Sequence, residues 1–180
     1  MKNIVYIVFF LSACSFSQNK YVTKTGTINF EASVPSFEEV AAKNNAVTVI
    51  INTENAEIAA LVFVKAFRFK NALMEEHFNE NYAESYTYPK ATFKGNILNF
   101  SLEKLTGKNT FYIDGELTFH GVSKQIKQIP ITIEKNGDLI KLTGNFNVLA
   151  SGFNIKIPKI VKNKISDEVG VNFTFELHPK

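Results

Sequence analysis

The stretch Gly115-Glu-Leu-Thr-Phe-His-Gly-Val-Ser-Lys124 decides how this chain folds. Leu117 and Phe119 alternate with Glu116 and Thr118, His120-Gly121 interrupts the run, and it resumes at Val122: strand, two-residue turn, strand. Gly121 supplies the positive φ that such a turn needs. Working outward, residues 111–119 and 122–134 are the two arms. Asn136-Gly137 then predicts a second hairpin, whose type I′ loop would set Lys135 opposite Asp138, Ile133 opposite Ile140 and Ile131 opposite Leu142. Ile126 is out of phase with Ile129 and Ile131, so a bulge is expected near Lys127-Gln128. Residues 139–149 continue as strand, 151–166 are less regular around Pro158, and 169–177 close the chain with Val171, Phe173, Phe175 and Leu177 on one face.

The first half is more broken. Residues 21–33 alternate with Ile28, Phe30 and Ala32 on one side. Pro35-Ser36 ends that strand, and Ser36 with Glu39 has capping-box spacing before Val40-Ala41-Ala42, which predicts a short helix. Residues 46–51 and 58–69 read as strands joined by Asn52-Thr53-Glu54-Asn55. Between 71 and 82 the period changes: Met74, Phe78 and Tyr82 recur every fourth residue among Glu75, Glu76, Asn79 and Glu80, as on an amphipathic helix. Tyr88-Pro89 bars further helix, and 91–100 return to strand. The expectation is a mainly β domain of about eight antiparallel strands with two short helices. Closure into an up-and-down barrel hides the strand edges, and a two-sheet sandwich is the alternative.

Length and composition agree. At 180 residues, without a linker-like stretch, the chain supports one domain, and 17 phenylalanines suit β-structure. A formal charge of +3 gives no strong field for nucleic acid. Residues 1–17 read as a signal peptide ahead of a domain over 18–180: Lys2 precedes an apolar run from Ile4 to Leu11 that is too short to span a bilayer, and small residues follow. Leu11-Ser12-Ala13-Cys14 resembles a bacterial lipobox, with Cys14 as the lipidated residue; cleavage after Ser17 is the competing route, so the product is periplasmic or secreted, or a membrane-anchored lipoprotein. Cys14 is the only cysteine, so the domain holds no disulfide of its own.

The decapeptide resembles the G-x-L-T-x-H-G-V-[ST]-K segment of the YceI-like family of exported lipid-binding barrels. The likeness extends to Gly26-Thr-Ile-Asn-Phe30, to Glu75-Glu76-His77-Phe78 and to Tyr88-Pro-Lys-Ala-Thr-Phe93. It implies a lipocalin-like eight-stranded barrel whose apolar tunnel holds a polyisoprenoid or other long-chain lipid. Met74 stands where the family often has arginine, and Leu149-Ala-Ser-Gly-Phe-Asn-Ile155 replaces a segment that in many members carries arginine and aspartate. The chain resembles a divergent branch.

A tunnel for a long apolar ligand needs an apolar lining with few charges. Phe63, Phe67, Phe69, Phe93, Phe100, Phe119, Phe146, Phe173 and Phe175 are the candidate ligand-binding residues, and filling a solid core is the competing role for each. His120 would be the choice for acid-base chemistry, but it sits at a hairpin corner where turn hydrogen bonding suffices, and no acidic partner is evident nearby in sequence. His77 beside Glu75 and Glu76 lacks the i, i+3 or i, i+4 spacing of a helical metal site, so no metal is expected. No nucleophile elbow, zinc motif or phosphate loop occurs, and no cofactor is implied. Lys156, Lys159, Lys162 and Lys164 form a basic run that Asp167 and Glu168 would balance as a solvated face, contact with an anionic headgroup or membrane surface being the alternative. The expected function is non-enzymatic carriage or sequestration of a long-chain lipid outside the cytoplasm, with membrane contact only through Cys14 and no nucleic-acid partner. A homodimer is compatible with the sequence. An enzyme using His120 or His77, and a ligand-free tethered interaction module, are the alternatives.

Overall fold

A computed structural model describes residues 19–35, 37–105 and 107–180. The signal-peptide reading and Cys14 lie outside the described residues. Eight strands close into an antiparallel barrel: β1 (Lys20–Ser33), β2 (Ala41–Asn52), β3 (Glu57–Phe63), β5 (Lys90–Leu98), β6 (Lys108–Phe119), β7 (Val122–Asn136), β8 (Leu139–Leu149) and β9 (Ile165–Pro179). A two-residue stub, β4 (Arg68–Phe69), precedes the helix α1 (Ala72–His77). Around the wall the order is β1-β9-β8-β7-β6-β5-β3-β2, and β2 pairs back onto β1, so no edge of the barrel stays open.

The opening decapeptide folds as read. Phe119 faces Val122, and both central residues have positive φ, +49° at His120 and +72° at Gly121, the signature of a type I′ turn. Gly121 is required twice over, because a Cβ there would also lie 2.6 Å from the Tyr88 ring. The expected bulge is at Gln128, whose φ is +56° and whose N–H donates to Asp114 Oδ1 at 2.7 Å. Register shifts there, from Ile113 facing Ile129 to Gly115 facing Ile126.

Three sequence expectations need correction. The residues around Val40 form no helix: Ala41 and Ala42 begin β2 and pair with Glu31 and Phe30, while Ser33 Oγ accepts the Val40 N–H at 3.0 Å. Ladder pairing on both sides of Ala42 outweighs its helix propensity. The run 58–69 is two strands, not one. After Phe63 a 3-10 turn over Val64–Ala66 leads the chain off β5 and back onto β2, with Val64 N–H held by the Pro89 carbonyl at 3.0 Å. The second hairpin turns one residue later than expected: Asn136 faces Leu139, Ile133 faces Leu142 and Ile131 faces Gly144. Gly137 alone carries positive φ, +59°, as the first central residue of a type II′ loop does. That slip moves the pairing by two and leaves every apolar side chain on its face.

Helix α1 begins where Asn71 caps it, accepting the Leu73 N–H at 2.9 Å. Its last turn widens into a π-helix over Phe78–Tyr82, closed by Ala83 N–H to the Phe78 carbonyl. Glu75 fastens it to the stub, accepting from Arg68 Nη1 at 2.9 Å and from Phe69 N–H at 3.1 Å.

Candidate functional site

The barrel interior is filled at one end and hollow at the other. At the end defined by the β2–β3 and β7–β8 turns, Ile51, Ile133, Ile140, Leu142 and Leu177 have no solvent exposure. Toward the opposite end a cavity of about 430 Å³ opens, and none of those five touches it. The volume is in the range that accommodates a small-molecule ligand.

Phenylalanines shape this hollow half. Phe30, Phe67, Phe69 and Phe78 form one cluster, with Phe30 and Phe67 edge to face at 5.1 Å and Phe69 and Phe78 tilted against each other at 5.2 Å. On the neighbouring strand β9, Phe173 stacks on Phe175 at 5.2 Å. Phe173 lies flat against the wall because its cross-strand neighbour is Gly144, where a Cβ would come within 2.5 Å of the ring. Phe175 uses Gly26 in the same way, at 2.7 Å. The rings therefore coat the wall and leave the axis open.

Seven of the nine nominated phenylalanines line the cavity: Phe67, Phe69, Phe93, Phe119, Phe146, Phe173 and Phe175. Phe63 does not. It points outward, half exposed, with Lys90 Nζ 5.8 Å from its ring centre, because Ile58, Ala60 and Val62 take the inward face of β3 and Phe63 falls on the other. Phe100 does not either; it packs on Phe111 at 5.8 Å. The nomination omitted Phe30 and Phe78, although Phe30 shares the inward face of Ile28 and Ala32, and Phe78 lies on the apolar stripe of the helix. Those periodicities were sufficient to find both. Phe153 and Ile155, in contrast, sit in an irregular segment without a period to read.

The two departures from the family pattern, Met74 and the segment around Phe153, both lie on the cavity. Ala150, Phe153 and Ile155 form a small second core there with Tyr82, Leu117 and Phe119 packed against it. The charged and imidazole side chains on the lining stand at the mouth, where the exposed Glu38, His77 and Lys164 line the opening. Such a surface holds an apolar chain by burial and meets a polar group only at its end.

His120 is buried but not part of the lining. One ring nitrogen, Nδ1, meets the Phe153 carbonyl at 2.9 Å, and Nε2 meets Glu84 Oε1 at 3.2 Å. The Tyr88 ring packs edge to face on the imidazole at 4.6 Å. An acidic partner therefore exists, contrary to the sequence expectation, and it comes from a loop 36 residues away. The turn histidine ties three loops at the open end. His77 is exposed on the rim, and among the described residues no three His, Cys, Asp or Glu side chains converge as a metal site would require.

A YceI-like domain model matches residues 13–177. The chain belongs to the YceI-like family. Among solved structures, a polyisoprenoid-binding domain from Saccharophagus degradans superposes with a TM-score of 0.77 at 16% identity, covering 90% of this chain and 99% of that one. BcnA of Burkholderia cenocepacia gives 0.71 at 18% identity over 84% and 95% of the two chains. The YceI protein of Campylobacter jejuni gives 0.55 at 16% identity over 99% and 94%. Identities this low speak to the fold. No curated protein matches the sequence at a significant level.

Proposed function

We propose that this YceI-like barrel is a carrier or sequestering protein that takes the apolar tail of a long-chain lipid, an isoprenoid or another, into its hollow half. The single observation that carries the reading is an aromatic-lined cavity whose charged groups stand only at its mouth. The polyisoprenoid-binding relative from Saccharophagus degradans supports it. Burying each methylene of a tail contributes about 0.8 kcal/mol, so even part of a lipid chain would be held. The reading is non-enzymatic, since the histidine–carboxylate pair found among the described residues, buried His120 with exposed Glu84, meets a loop carbonyl and the rim instead of the cavity. It also includes export, with Cys14 lipidation or cleavage after Ser17 as the two routes.

The test is the intact mass of the exported protein from its native host, together with an organic extract. A long-chain lipid released in stoichiometric amount, and a mass that begins at Gln18 or at a lipidated Cys14, are expected. An empty extract, combined with failure of the stripped protein to take up any long-chain probe, would overturn the binding reading.

A further inference from the structure

Lys156, Lys159, Lys162 and Lys164 fall on the segment that joins Phe153 to β9. Asp167 and Glu168 are their obvious counter-charges, and Lys162 lies near enough to Asp167 to favour its ionised form, but neither acid forms a direct ion pair with a lysine of the run. Asp167 accepts from Ser151 Oγ at 2.6 Å and from Ser151 N–H at 2.8 Å, and Glu168 accepts from Asn147 Nδ2 at 2.8 Å. Among the described residues, the ion pairs within 4.0 Å involve Arg68, Lys70, His120 and Lys141, and none of these four lysines.

In the middle of the basic run stands Ile160, 85% exposed, on a 3-10 turn over Lys159–Val161. A single exposed apolar residue is ordinary. This one is distinguished by its surroundings: its neighbour Val161 lines the cavity, as do Ile157 and Lys164, so the tip is part of the mouth. Leu149, more than half exposed, ends β8 on the same rim. An apolar tip ringed by unpaired ammonium groups matches one kind of surface, in which anionic headgroups lie directly above hydrocarbon.

We propose that this tip docks on an anionic lipid bilayer, with Ile160 inserted at the headgroup level and Lys156, Lys159 and Lys162 among the lipid phosphates, so that the mouth of the cavity opens against the membrane. The rim also carries acids: Glu38 and Glu39 stand on the loop after β1, whose last residue, Ser33, pairs with Ile165 beside Lys164, and Glu39 is paired to Lys70, so the attraction comes from the lysines at the tip. Each lysine near such a surface strengthens binding by roughly fivefold, so removing three weakens it on the order of 100-fold. Salt does the same, since the attraction is screened over about 8 Å at physiological ionic strength.

The chain contains no tryptophan, so Ile160→Trp places a single reporter at the tip of the full exported protein, whatever holds its N-terminus. Vesicles made of equal parts phosphatidylglycerol and phosphatidylcholine should shift its emission to the blue and, with brominated acyl chains, quench it. Phosphatidylcholine vesicles should do neither, and adding Lys156→Gln, Lys159→Gln and Lys162→Gln should abolish both effects. Tyr112→Trp, exposed at the filled end, should report no change. No shift at position 160, or an equal shift on neutral vesicles, would overturn the docking. Uptake of cis-parinaric acid without vesicles reads the cavity separately: the lysine variant should retain it, which shows that the variant is folded. Insertion at 160 in a protein that takes up no parinaric acid would uphold the docking and count against the carrier function.

Discussion

The two ends of the barrel are built from the same alternating strands yet do opposite things with their interiors. At the filled end, the interior positions of β2, β7, β8 and β9 carry Ile and Leu, which interdigitate to exclude all solvent. At the hollow end, the same strands carry Phe146, Val171 and Phe173, and β1 carries Ile28 and Phe30. Aromatic rings that lie against glycine-backed wall cover area without filling volume. The filled end therefore supplies stability, and the hollow end supplies capacity.

The sharpest way to break this division is to truncate each end. Leu177→Ala leaves a void in fully packed surroundings and should cost about 2–5 kcal/mol by denaturant unfolding, with probe uptake by the folded fraction unchanged. Phe146→Ala only enlarges an existing cavity beside a half-buried ring, so about 1–2 kcal/mol is expected, with a clear change in uptake. Equal losses would erase the distinction. Gly144→Ala should cost about 1–3 kcal/mol, because the new methyl meets the Phe173 ring and, at 2.8 Å, the Pro130 carbonyl; a ring displaced inward also lowers uptake. His120→Ala removes the tie among the loops around the mouth and should cost about 1–3 kcal/mol, read as an earlier melt with loops 83–89 and 149–155 losing hydrogen-exchange protection first.

Much of this architecture is legible in the chain. The turn at His120-Gly121, the bulge at Gln128 and the inward face of β9 follow from periodicity and turn chemistry, because each depends on residues close in sequence. The segment after Pro35 is not, since Ala41-Ala42 becomes strand only through partners on β1 and β4. Nor is the hollow half. Nothing in the identity of a phenylalanine tells whether its ring fills space or coats a wall; that depends on whether glycine lies across the strand, as for Phe173. The partnership of Glu84 with His120 is equally invisible, being made by two loops far apart in the chain.

The smallest expected effect concerns pH. Hydrogen bonds from the Ser151 hydroxyl, then from its N–H, hold the Asp167 carboxyl below its ordinary range, with nearby Lys162 adding least. A depressed folded-state value means stability that is present above the unfolded value and lost as pH falls through the folded one. Asp167→Asn should thus melt slightly earlier at neutral pH, and the gap should close in acid. The site is largely exposed, so the difference is modest.

The central claim is that the hollow end holds a lipid tail by burial. Titration of lipid-stripped protein with a homologous series of straight-chain fatty acids tests it most directly. Affinity should rise about fourfold for each added methylene and level off once the cavity is full. An affinity independent of chain length, or none at any length, would contradict it.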